Sequence, residues 1–162
     1  MKVLKIMGQF CAILAGFLMA LITLLTCFSI VGRELLGKTI PGDFELVALA
    51  TGAAIALFMP LCQLDRGNII VDFFTVKVPA RINHRLDRLG ALILAACFAL
   101  LAWRTGLGGM NSWETHSASM LLGFPEWIIY SLMVPPFILT AVIALHQSAF
   151  GFSQSHGHSV NI

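Results

Sequence analysis

The sequence predicts an all-α integral membrane protein with four transmembrane helices and little protein outside the bilayer. Of its 162 residues, 58% are apolar and 11% are charged, whereas a typical soluble domain has roughly 25% charged and 45–50% apolar residues. The charges are clustered, and Asp, Glu, Lys and Arg are absent from 6–32, 46–64, 89–103 and 127–162. A bilayer-spanning helix needs roughly 20 mostly apolar residues. We therefore predict a single four-helix membrane domain over 1–162, with spans at about 6–31, 45–64, 86–108 and 126–149.

The first span begins like a secretory signal, with a basic start and an apolar run. A signal peptide has an apolar core of roughly 7–15 residues, and here the uncharged run extends over 6–32. The segment "LLTC" at 24–27 faintly resembles a lipoprotein cleavage box, but Thr26 is large for a position that favours very small residues. We therefore predict a retained signal-anchor helix.

The second span is preceded by a turn, "GKTIPGDFELVALA" at 37–50. Asp43 is predicted to be the N-cap of the helix, because a carboxylate can accept hydrogen bonds from the first free backbone N–H groups. Glu45 would lie in the first turn, where the helix dipole favours an acidic side chain.

The third span is predicted to follow an amphipathic interfacial helix at about 79–88. Apolar residues recur there at spacings of four, three and four: Ile82, Leu86, Leu89 and Ile93. Basic residues recur on a neighbouring face: Arg81, Arg85 and Arg88. Such a helix lies at the headgroup level with its basic side near anionic phospholipid. The alternative is ordinary basic flanking charge without a surface helix.

The fourth span is predicted to open at Pro125 and Glu126 and to be bent by Pro135 and Pro136, because proline lacks an N–H and clashes with the preceding turn. Residues 151–162 are predicted to be a flexible tail. Small residues also recur four apart in the first three spans: Gly8, Ala12, Gly16 and Ala20; Ala48, Gly52 and Ala56; Ala91, Ala95 and Ala99. This spacing allows close approach of a helix from the same chain or from a partner.

The distribution of lysine and arginine predicts the orientation. The N-terminal flank and the loop at 65–88 together carry seven basic residues, and the loops at 32–45 and 104–126 carry three. Cytoplasmic loops carry the excess of basic residues, so both termini are predicted to be cytoplasmic. All three tryptophans and the one tyrosine (Trp103, Trp113, Trp127 and Tyr130) surround the third loop, as in an aromatic belt at the outer interface.

The spans lack the residues that transport or catalysis inside a membrane needs. Ionisable side chains usually mark ion and substrate paths, and none lies near the middle of a span. The histidines lie in loops, at the end of the last span or in the tail, where they are poorly placed to ligate haem iron. The sequence predicts no catalytic, substrate-binding or metal-binding residues, no cofactor in this chain and no nucleic-acid patch. An accessory subunit fits best; a small redox subunit binding haem or quinone and a self-contained exporter remain alternatives.

Several motifs resemble those of one family in order and spacing. They are Arg33-Glu34 after the first span, "GDFEL" at 42–46, "RGNIIVDFF" at 66–74 and "WETHSASMLLGFPEWIIYSLMVPPF" at 113–137. Together they resemble the DctQ-like small membrane subunit of the tripartite ATP-independent periplasmic (TRAP) transporters. Asn68 stands where the family often has histidine. The resemblance extends from about residue 8 to residue 147.

The resemblance implies a non-enzymatic subunit of a bacterial inner-membrane transporter. Its partners would be a large membrane subunit, in a heterodimer, and a periplasmic substrate-binding protein. The large subunit would carry the substrate and sodium sites for uptake of an organic acid such as a dicarboxylate or sialic acid. The small subunit would brace it.

Charged residues near the ends of the spans are the candidate contacts. We predict partner or structural contacts at Arg33, Glu34, Glu45, Arg66, Asp72 and Arg104. We predict phospholipid-headgroup contacts at Arg81, Arg85 and Arg88. Arg104 would lie slightly inside the membrane, where it needs a partner or a snorkelling path.

Overall fold

The protein is all-helical in the part of the chain that the structure describes. This structure, a computed structural model, describes residues 2–37, 41–65 and 80–150. It contains four helices: α1 (Lys2–Leu36), α2 (Asp43–Leu64), α3 (Ala80–Glu114) and α4 (Trp127–Phe150). Each contains a segment long and apolar enough to cross a membrane: Val3–Leu35, Asp43–Leu64, Arg88–Glu114 and Trp127–Ala149. The predicted all-α class with four long apolar helices is confirmed.

The four helices pack as a row in the order α1, α2, α4, α3. The principal packed pairs are α1 with α2, α2 with α4, and α4 with α3, while α1 makes slight contact with α4. Within the described helices α1 and α3 do not form a packed pair. The row therefore has two central helices, α2 and α4, and two terminal helices whose outer sides are open.

Most of the buried apolar residues in these helices are small. The buried apolar residues are Ala15 in α1; Ala53, Ala54, Ala56 and Leu57 in α2; Ala91, Ala95 and Ala102 in α3; and Ala141, Ile143 and Ala144 in α4. Apolar surface gives little driving force for association in lipid, so close backbone approach supplies van der Waals packing instead. Of the predicted four-residue sets, Gly8, Ala56, Ala91 and Ala95 are buried, whereas Ala20, Ala48 and Ala99 are exposed.

α3 is longer than a bilayer is thick. Its 35 residues correspond to roughly 52 Å at a rise of about 1.5 Å per residue, against roughly 30 Å for the hydrocarbon core. The predicted helix at 79–88 and the predicted span at 86–108 are thus parts of one continuous helix from Ala80. That its first turns lie along the membrane surface stays a prediction.

Gly109 allows α3 and α4 to approach closely. A Cβ atom at this position would lie 2.9 Å from Tyr130 Cβ, which is fixed to the α4 backbone and cannot rotate away. We expect Gly109→Ala to destabilise the α3–α4 contact by about 1–3 kcal/mol, the usual range for overpacking. The measurement is the thermal unfolding temperature in mild detergent.

Gly106 provides the matched control for this substitution, because it lies one turn earlier in α3 and a Cβ there would meet nothing within 4 Å. Gly106→Ala should keep or raise the unfolding temperature, since alanine has the higher helix propensity. Equal losses for the two variants would contradict the steric explanation.

Candidate partner-contact site

Polar contacts between helices cluster at two levels, where the helices begin and end. We call one the turn end; it contains residues 41–45 and 112–127. We call the other the glutamine end; it contains Gln63, Arg88 and Gln147. Successive helices alternate in direction, so the C-termini of α1 and α3 and the N-termini of α2 and α4 meet at the turn end.

At the turn end, α1 and α2 are joined by a hydrogen bond between side chains. The Ser29 hydroxyl donates to Asp43 Oδ2 at 2.5 Å, and the backbone N–H of Phe44 donates to Asp43 Oδ1 at 2.8 Å. Asp43 is the first residue of α2, and Gly42 is the N-cap, with φ 80° and no side-chain cap. The prediction that Asp43 is the N-cap is therefore wrong by one residue. Its carboxylate still binds at the helix N-terminus, where the dipole favours negative charge.

Glu45 connects α2 to the turn between α3 and α4. Both of its carboxylate oxygens accept the backbone N–H of Leu121, each at 3.2 Å. The Ser119 hydroxyl and the backbone N–H groups of Met120 and Leu122 also interact with this carboxylate. Glu45 thus accepts hydrogen bonds from backbone N–H groups of a turn that lies 76 residues further along the chain.

The turn itself is closed by backbone hydrogen bonds. Ser117 N donates to Ser112 O at 3.0 Å, Ser119 N to Phe124 O at 2.9 Å and Gly123 N to Ser119 O at 3.0 Å. Ala118 and Pro125 form an isolated antiparallel bridge. The turn therefore has a defined, internally hydrogen-bonded backbone, and Glu45 joins it to α2.

Aromatic rings fasten α3 to the start of α4. Trp113 and Trp127 pack edge to face, with ring centroids 4.7 Å apart. Beside them lies a groove of about 460 Å³, lined among others by Met110, Tyr130, Val134 and Pro135. Glu114 lies at this groove, but the lining is mainly apolar. It offers contact for apolar chains more than the converging polar groups of an active site.

At the glutamine end, two buried amides join the central helices. Gln63 Nε2 donates to Gln147 Oε1 at 2.7 Å, and Gln147 Nε2 donates to the backbone oxygen of Gln63 at 3.0 Å. The Ser148 hydroxyl donates to Arg88 O at 3.2 Å, joining α4 to α3. These bonds hold the row together where its helices would otherwise separate at their ends.

The comparisons with known proteins identify the family. The family model described as "Tripartite ATP-independent periplasmic transporters, DctQ component" matches residues 22–153. The chain belongs to the DctQ family. The resemblance drawn from its motifs is thereby confirmed, and the chain is a multi-pass component of a TRAP transporter. No curated protein and no solved structure shows a detectable match.

The structure places the predicted contact residues of this DctQ component unequally. Glu45 is the one whose side chain, within the described ranges, bonds to another helix or turn. Arg33, Glu34 and Arg104 are exposed. Arg66 and Asp72 lie outside the described residues, as do the motif at 66–74 and the tail at 151–162. Their contacts stay predictions.

Of the predicted headgroup residues, Arg88 is exposed at the glutamine end, and its backbone oxygen accepts the Ser148 hydroxyl. Arg81 and Arg85 lie in the first turns of α3.

Sequence reasoning missed Ser29, Gln63 and Gln147 in this DctQ component. Each is an uncharged polar residue in an otherwise apolar segment, and each is buried. The polar residue type within an apolar segment was the usable signal, because a polar group facing lipid is costly and therefore needs a partner. Which partner each would find was not readable, since the glutamines are 84 residues apart. Among the described residues, no group of three or more His, Cys, Asp or Glu could hold a metal ion.

Proposed function

We propose that this chain is the small permease subunit that braces the large membrane subunit of a TRAP transporter in the bacterial inner membrane. The complex would import an organic acid, such as a dicarboxylate or sialic acid, delivered by a periplasmic binding protein. A sodium gradient would drive the uptake, with the substrate and sodium sites in the large subunit. The observation that carries the proposal is the DctQ match over residues 22–153.

The row of helices supports a bracing role. α2 is held at both of its ends by polar contacts, as a rigid support requires: to α1 and to the turn before α4 at the turn end, and to α4 at the glutamine end. Hydroxyls inside the spans bond to their own helices: Thr23 to Met19 O, Thr26 to Ile22 O and Thr140 to Pro136 O. Hydroxyls bonded in this way are structural and do not present a path to a polar solute.

The proposed orientation places the turn end in the periplasm and the glutamine end at the cytoplasm. The basic start of α3 would then face the anionic headgroups of the cytoplasmic leaflet through Arg81, Arg85 and Arg88, consistent with the bias of basic loops toward that side. The Glu45-anchored turn would face the side from which a binding protein delivers substrate. No cofactor is proposed for this chain.

Co-purification and reconstituted transport test the proposal. The chain is tagged, co-expressed with a TRAP large subunit encoded beside it, and purified in mild detergent. We expect a complex of the two chains, and sodium-driven uptake in proteoliposomes that requires both chains and the binding protein. Equal uptake by the large subunit alone would contradict the bracing role. A haem absorption band in the purified chain would favour the redox alternative.

A further inference from the structure

Most of the outer side of α3 is exposed, and one stripe of residues along it has helical spacing. They follow spacings of four, three, four and three: Ile93, Cys97, Leu100, Arg104 and Leu107. Such spacing places them on one helix face. We call this stripe the outer α3 face. Because α3 ends the row and packs on α4 on its other side, no described helix covers this face.

Arg104 is the feature of this face that lipid does not explain. It lies inside the candidate span Arg88–Glu114, ten residues or roughly 15 Å of helix before the end of that span. Arginine close to a helix end can snorkel to the headgroups, whereas deeper in a span it pairs with a protein group or faces water. The described residues give Arg104 no ion pair or hydrogen bond, and its side chain is exposed.

The outer side of α1, the terminal helix on the opposite side of the row, has no such charged residue. α1 contains no charged residue over 6–32, and it exposes bulky apolar side chains such as Phe17 (66%) and Leu24 (62%). Its exposed Thr23 hydroxyl bonds to the carbonyl of Met19. Lipid alone can therefore solvate the outer side of α1, so the two open sides of the row are not equivalent.

We propose that the outer α3 face docks on a helix of the large membrane subunit that presents an Asp or Glu side chain at the depth of Arg104. A guanidinium and a carboxylate form a charge-assisted, often bidentate pair, and the flanking Leu100 and Leu107 supply apolar contact around it. The outer side of α1 then faces lipid. This inference rests on the proposed function, because it names where that partner binds.

Site-specific photo-crosslinking in the assembled complex tests the location. A benzophenone amino acid replaces Leu100 or Leu107 in α3, and Phe17 or Leu24 in α1 as matched exposed controls. After irradiation of native membranes, we expect adducts with the large subunit from the α3 positions and lipid adducts alone from α1. Large-subunit adducts from α1 only, adducts between two copies of this chain, or lipid adducts at every position would overturn the proposal while the complex itself persists. Failure of the two subunits to co-purify would instead defeat the proposed function.

Replacement of Arg104 tests the charge pair. Arg104→Leu should reduce the equilibrium recovery of the large subunit by about tenfold or more, because it leaves a carboxylate buried without its partner. Leucine favours membrane insertion more than arginine does, so loss of the helix would not explain this result. Lys5→Leu, which removes an exposed basic side chain from the span in α1, is the control and should retain the complex. Undiminished recovery with Arg104→Leu would contradict the pair even if the crosslinks locate the face correctly.

Discussion

Replacing Gly42 with valine is expected to cause the largest loss of stability among single substitutions at the turn end. Gly42 has φ 80°, a left-handed conformation that costs an L-residue roughly 1–2 kcal/mol. A Cβ there would also lie 2.5 Å from Leu122 Cγ, which adds roughly 1–3 kcal/mol of overpacking. We expect a loss of about 2–5 kcal/mol in the free energy of unfolding. Denaturant titration of the purified chain in mild detergent would measure it.

A substitution at Gly37 separates the conformational cost from the steric cost. Its φ is +63°, and a Cβ there would meet nothing within 4 Å, so Gly37→Val has the conformational cost without the steric one. It should therefore lose less than Gly42→Val. Adding Leu122→Ala to Gly42→Val should recover part of the difference. If Gly42→Val and Gly37→Val lose the same free energy, the contact with Leu122 contributes nothing and the turn is not packed as described.

The sequence predicted the helices well because one strong constraint determines them. A bilayer requires backbone hydrogen bonds to be satisfied within each segment, so a charge-free apolar run of sufficient length forms a helix. The predicted second span, 45–64, and the observed α2, Asp43–Leu64, differ by two residues at one end. The N-cap was misplaced because Asp43 and Gly42 both suit a helix start, and the choice depends on where Ser29 and Leu122 lie.

The lateral order of the helices could not be predicted from the same pattern. Every face of an apolar span suits lipid, so periodicity does not show which face meets another helix. The sequence contained Ala56 and Ala99 in equivalent four-residue sets, yet one is buried and the other exposed. The contact between Glu45 and the turn at 119–122 depends on the backbone conformation of that turn. A carboxylate in the first turn of α2 was predicted; the group it binds was not.

Replacing Gln147 with leucine is expected to destabilise the glutamine end more than replacing Gln63. Gln147 is the acceptor for the Gln63 amide and the donor to the Gln63 backbone oxygen. That oxygen belongs to the last turn of α2, where carbonyls have no intrahelical partner. Gln147→Leu therefore breaks both of these buried hydrogen bonds, at a cost of about 2–4 kcal/mol, since breaking each such bond costs roughly 1–3 kcal/mol. Gln63→Leu removes the donor to Gln147 Oε1 but keeps the bond from Gln147 Nε2 to the backbone, so its expected cost is about 1–2 kcal/mol.

The double variant decides whether the amides act as a pair. When both glutamines are leucine, the Gln63 amide that loses its bond to Gln147 is also removed, so the double variant should be more stable than Gln147→Leu alone. This non-additivity is expected for residues in direct contact. Ser148→Ala is the control, because its exposed hydroxyl makes a single bond to Arg88 O and its loss should change unfolding little. Additive losses in the double variant would show that the two glutamines stabilise α2 and α4 independently. The stability of the glutamine end would then depend on packing around Ile143 and Ala144, which are buried in α4.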